Sequence, residues 1–269
     1  MTDEVRGAVS SLVQIVPTLE AMAQVYALSR EGGPKSARFA AYVALAPTQF
    51  GFVPYNPMAG DAALTTVQEL IAMNAESVAL ASAASVVGQC EFTAPVTLAL
   101  AVRSKGMWTD RIATEVEERV TGKARVPHHG VVNIWSRDAF AIEDVMREAV
   151  AEAVRVMWHA THGTADTLLR LLTCEGLAYA LHPQAGAFHP TEPLLPEEEV
   201  AVAEAIEVLG DSRQPADIAG ILYGDAISIE MGYTPLGLPA HVGYRWGVHR
   251  ARQQLAVHAS PEVLRMNTF

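Results

Sequence analysis

His159 and His162 stand three residues apart, and Asp166 follows four residues later. On an unbroken helix these side chains would share one face. Two imidazoles and a carboxylate can hold a divalent metal with a coordination position left open, and that donor set suits non-haem iron. The alternative is that Gly163 ends the helix. Both imidazoles would then sit in its last turn, where partial positive charge complements the carbonyl end.

Other groups of the same kind crowd the C-terminal half. It holds His159, His162, His182, His189, His241, His249 and His258, seven of the nine histidines, together with Glu175. Asp225 and Glu230 lie in a segment otherwise made of Ile218, Ile221, Leu222, Ile227 and Ile229. Carboxylates in such surroundings are paired, ligating or raised in pKa, unless they occupy the solvent face. With His241 they form the expected acid/base set. His241, Arg245, His249 and Arg252 recur near one helical face beside Tyr244 and Trp246. Such a face could bind the carboxylate of an anionic small-molecule substrate, or the propionates of a haem with a histidine as axial ligand. It could equally be a basic helix paired with surface acids. No Glu-x-x-His di-iron pattern, GxGxxG, P-loop, GxSxG or HExxH occurs.

The elements that must carry these residues read as helical almost throughout. Leu12, Val16, Leu19, Met22 and Val25 recur at helical spacing, with Pro17 at a helix start. Further helices are expected over Ala37 to Leu45, from Thr65 to Gly88, from Cys90 through Val102, and from a Thr109 cap through Val120. Arg30 to Pro34 and Gly51 to Gly60 read as a turn and a loop. Gly122 to Arg137, with Pro127, His128, His129 and Gly130, is the expected linker between halves 1–122 and 138–269, unless the chain is one continuous domain. Beyond it come a long helix from Asp138 to His162, one holding Leu168 to Leu177, and an irregular His182 to Pro196. Helices are then expected over Glu197 to Leu209, Pro215 to Met231 and His241 to His258.

Within residues 65–120, Ala75-Glu-Ser-Val-Ala-Leu-Ala81, Cys90-Glu-Phe-Thr-Ala-Pro-Val-Thr97, Gly106 and Thr109-Asp-Arg-Ile112 follow one another. This order resembles the core of the alkylhydroperoxidase D and carboxymuconolactone decarboxylase superfamily. The resemblance implies an all-α, multi-helix bundle made of small repeats. Redox members carry CxxC followed by a histidine, whereas this chain has Cys90, Thr93 and Thr97 at those positions. Without a resolving thiol, dithiol peroxide reduction is not expected. A shift of seventy residues sets Thr97-Leu98 on Thr167-Leu168 and Gly106 on Gly176, and brings His159 to His162 within one position of Cys90 to Thr93. Two fused repeats would place the histidine pair where the family places its thiols.

Composition narrows the function classes. The 269 residues are 50% hydrophobic and carry a formal net charge of -11, so no nucleic-acid partner is expected. No apolar run approaches the roughly 20 residues that span a bilayer, and the acidic start MTDEVRGAVS is unlike a secretory signal. Cys90 and Cys174 imply no disulfide framework, so a cytoplasmic location without membrane contact is expected. The expectation is a small-molecule oxidoreductase using His-ligated iron or haem in the C-terminal half, with a homodimer burying any remaining apolar helix face. Two alternatives stand beside it: a cofactor-free acid/base lyase or isomerase, and a non-catalytic ligand-binding or partner protein.

Overall fold

The structure, a computed structural model, describes residues 12–28, 35–45, 53, 56, 59, 61–104, 126–136, 140–182 and 193–269. The expected Thr109 helix, the 30–34 turn, most of the 51–60 loop, Gly106 and His189 lie outside them. Described residues fall into two compact units, the second of which takes Gln89–Phe92 and Val154–Phe269.

The first unit combines helices with a sheet. Strands β1 (Val13–Val16), β2 (Val96–Ser104) and β3 (His129–Ser136) pair in that order, all parallel. Val13 is in register with Val96, and Thr97 with His129. Helices α1 (Leu19–Ala27), α2 (Lys35–Leu45), α3 (Asp61–Ala72) and α4 (Ala75–Gln89) lie in sequence between β1 and β2.

The fold is thus mostly helical, and the all-α expectation is corrected by this sheet. β2 is the segment read as a helix opened by Cys90. Val96 and Leu98 through Val102 are wholly buried. A parallel strand covered on both faces is a continuous apolar run, which periodicity cannot distinguish from a buried helix. β3 occupies the expected linker. Its Val131, Val132, Ile134 and Trp135 are β-formers whose signal is obscured by the Pro127-His128 turn before the strand and by Gly130 within it.

One carboxylate fixes where α1 begins. Glu76, in the first turn of α4, accepts the Thr18 amide at 2.7 Å and the Leu19 amide at 3.1 Å. It thereby satisfies donors that a helix start leaves unpaired, at the end where negative charge is favoured. Thr18 donates its hydroxyl to the Leu100 carbonyl at 2.6 Å, tying the same turn to β2.

Among its described residues the second unit consists of helices joined by turns and loops, with no strand. Helix α5 (Ile142–His162) enters it at Val154. The others are α6 (Leu168–Ala180), α7 (Pro196–Leu209), α8 (Pro215–Tyr223), α9 (Asp225–Glu230), α10 (Val242–Leu255) and α11 (Ser260–Leu264). The division between units therefore falls inside a helix. Gly224, at φ 84°, splits the helix expected over Pro215 to Met231. Among the described residues no single helix is long and apolar enough to cross a membrane.

Replacement of Glu76 by Ala is expected to lower stability by about 1 to 2 kcal/mol, the worth of a charge-assisted cap. Urea unfolding followed by circular dichroism would measure it, and an unchanged midpoint would contradict the capping role.

Candidate functional site

Every expected site residue belongs to the second unit. His159 lies in the last turn of α5, and its Nδ1 is 2.9 Å from the Gly163 carbonyl oxygen. Only a protonated nitrogen can donate there, so Nε2 is left facing Cys174 Sγ at 3.9 Å. His162 turns to another partner, its Nε2 donating to the Leu264 carbonyl at 2.9 Å. Both rings lean on Trp158, with centroids 5.3 Å and 4.8 Å away. Gly163, at φ 77°, ends the helix as the alternative reading had it.

Asp166 points to cations. Arg170 Nη1 donates to its Oδ1 at 2.6 Å, and Arg213 Nη2 lies 2.7 Å from Oδ2. The hydrogen bond from Arg170, reinforced by Arg213, holds the Asp166 carboxyl below its ordinary value. His159, His162 and Asp166 are therefore directed at three different sets of partners. Among the described residues no group of three or more His, Cys, Asp or Glu side chains is arranged to hold a metal ion.

The expected anion-binding face divides in the same way. Arg245 is buried and forks onto Glu198, Nη1 to Oε2 at 2.5 Å and Nη2 to Oε1 at 2.7 Å. That hydrogen bond, with the Leu195 amide, holds the Glu198 carboxyl below its ordinary value. His249 Nε2 stands 3.8 Å from Glu199 Oε1, half-exposed, and Arg252 is exposed. This is the pairing of a basic helix with acids that was the alternative.

The expected acid/base set is spread out. Asp225 accepts the Leu236 amide at 2.9 Å and the Gly237 amide at 3.0 Å, so its carboxylate closes the loop after α9. Glu230 is exposed at the end of α9. His241 stands at the N-cap position of α10 with no capping hydrogen bond from its side chain, in a left-handed backbone conformation, φ 57°, that only small or polar residues adopt with any frequency. Its ring lies 5.9 Å from that of Tyr223 and 6.4 Å from that of Tyr244.

Around His241 the structure gathers residues that spacing alone did not assemble. The buried hydroxyls of Tyr244 and Tyr223 are 3.2 Å apart. Tyr179 stacks edgewise on Tyr244 at 6.3 Å and accepts a hydrogen bond from Arg155 Nη2 at 2.8 Å. Arg155 also forks onto Glu175, Nε to Oε1 at 3.0 Å and Nη2 to Oε2 at 2.9 Å. The sequence carried a signal for this pair: Glu175 interrupts the apolar run Leu168-Leu-Arg-Leu-Leu-Thr-Cys-Glu-Gly-Leu, and a charge on a buried face requires a partner. Spacing could not say that the partner is Arg155.

Elsewhere, Cys90 is buried, and that burial pushes its thiol up to about 12. It stays protonated at neutral pH, which adds a second obstacle to thiolate chemistry beside Thr93 and Thr97. Comparison with family models, characterised proteins and solved structures finds no match to this chain.

Two outcomes are expected. Arg155→Leu alone should cost about 3 to 5 kcal/mol by stranding the Glu175 carboxylate, while Arg155→Leu with Glu175→Leu should recover much of that loss. Equal losses in chemical unfolding would show that the pair is not the source. Asp166 and Glu198 both titrate lower folded than unfolded, so their contribution is complete above the ordinary carboxylate range near about 4 and is lost as pH falls through their folded values. Asp166→Asn with Glu198→Gln should lower stability at pH 7 and flatten its decline in acid, read from melting temperatures across pH.

Proposed function

We propose that this chain is a non-catalytic binding protein, the third of the classes expected from its sequence. The observation that carries this reading is the use made of the two histidines best placed for chemistry. His159 and His162 bond different backbone carbonyls, those of Gly163 and Leu264, and so serve the end of α5 and the C-terminal segment. Arg245 is likewise committed to Glu198, and Asp225 to the 236–237 amides. An oxidoreductase with His-ligated iron or haem draws support only from spacing, because its ligands would have to exchange these partners first. A cytoplasmic setting fits the two free buried cysteines.

A second reading, the cofactor-free lyase or isomerase, is favoured by one observation. Tyr223 and Tyr244 form a buried phenol pair beside His241. Such groups can pass a proton to or from an anionic small molecule.

Elemental analysis and an optical spectrum of the purified chain test the readings together. The expected result is no stoichiometric iron and no Soret band. His162→Ala, which removes a half-buried hydrogen bond, should lower stability by about 1 kcal/mol, and His159→Ala, whose hydrogen bond is exposed, should lower it by less. Bound metal or haem that either substitution removes would restore the oxidoreductase. Proton exchange into a carboxylate substrate that disappears in Tyr244→Phe would favour the lyase or isomerase.

A further inference from the structure

Helix α7 is held to the second unit along one edge only. Val202 and Ile206 are its buried side chains, Glu198 is clamped by Arg245, and Glu199 faces His249. The opposite edge carries Glu197, Val200, Glu204, Glu207 and Val208, all exposed. Val200 and Val208 keep 57% and 81% of their surface in water, although they sit on a well-formed helix with a proline at its start. Eight residues separate them, two helical turns or about 12 Å. Glu204 and Glu207 lie between, Glu204 four residues from each valine and Glu207 seven residues, about two turns, from Val200, so apolar and acidic side chains interleave on one face. α7 contains no basic residue, and Glu197, Glu204 and Glu207 have no ion pair among the described residues.

We propose that this outer face of α7 docks a basic amphipathic helix of a partner protein, with apolar side chains of the partner covering Val200 and Val208 and its lysines or arginines meeting Glu197, Glu204 and Glu207. The proposal rests on the binding-protein reading and names the partner that reading requires. Charge selects the occupant. A chain of net charge -11 presenting three unpaired carboxylates repels nucleic acid and anionic lipid surfaces. Two copies of the face would set those carboxylates against each other. A helix laid along α7 with cations flanking an apolar seam satisfies both kinds of side chain at once.

The test uses the full chain and a fluorescent peptide of about fourteen residues, four helical turns, built from leucine and lysine with leucines at helical spacing. A lysine/serine peptide of equal charge is the control. Anisotropy should show saturable binding that weakens at least about tenfold in Val200→Ser/Val208→Ser, and again in Glu204→Lys/Glu207→Lys. The control peptide should bind at least about tenfold more weakly than the leucine peptide. All four positions are exposed, so circular dichroism should be unchanged. Equal binding by the valine variant, or by the control peptide, would mean that nonspecific attraction to an acidic protein suffices, and would overturn the proposal. So would a dimer of the unmodified chain in sedimentation that the valine substitutions dissociate, since a second copy would then own the face. The binding-protein reading itself falls on a different measurement, the metal and proton-exchange assays, so the two failures are separable.

Discussion

The second unit depends on how closely two helices can cross. Where α6 meets α10, Gly176 lies against Gly247. A Cβ built on Gly176 would overlap the Gly247 carbonyl, and one built on Gly247 would stand 2.6 Å from the Leu172 carbonyl oxygen. No other residue type permits that approach without moving a backbone. Because the two axes come so near, the side chains beside the crossing have no room to turn outward. Glu175, next to Gly176, is driven to full burial, and an isolated carboxylate there would be prohibitively costly. Arg155 answers it from α5 with two hydrogen bonds, and a third runs to Tyr179 one turn further along α6. Tyr244, just ahead of Gly247 on α10, packs on Tyr179 from the other side of the crossing.

The expected chemical residues sit around this centre without belonging to it. Their bonds run to helix ends and loops: His159 and His162 to carbonyls, Asp225 to amides, Asp166 to two arginines. Each arrangement answers a local need. Helix ends leave carbonyls and amides unpaired, and a polar side chain nearby is the simplest remedy. Histidines and acids at element boundaries are therefore drawn into capping.

This explains what could be read from the sequence and what could not. The helices of the C-terminal half were legible because their apolar positions recur at helical spacing: α7 was expected from Glu197 and begins at Pro196, and α10 falls inside the expected His241 to His258. The break at Gly224 was missed because a single glycine within an apolar helix does not announce a left-handed turn. β2 was missed because Leu98 to Val102 is buried on both faces and so loses the alternation that marks a strand. For the site, spacing told which side chains share a helical face. It was silent on the partners, because the carbonyl that meets His162 comes from Leu264, 102 residues away, and the carboxylate that meets Arg245 lies 47 residues before it.

The parallel sheet of the first unit has a kinetic consequence. β1 finds its register against β2 across 83 positions, Val13 on Val96, and the Glu76 cap reaches back 58 residues to Thr18. Neither contact can form until the intervening chain has been brought round, and the entropy of closing such loops must be met before any of their bonds are gained. Chains held by local helical contacts fold in microseconds to milliseconds, and those dominated by pairings of distant segments take milliseconds to seconds. Helices α1 to α4, each built from neighbours in sequence, are thus able to form while β1 is still searching for its edge.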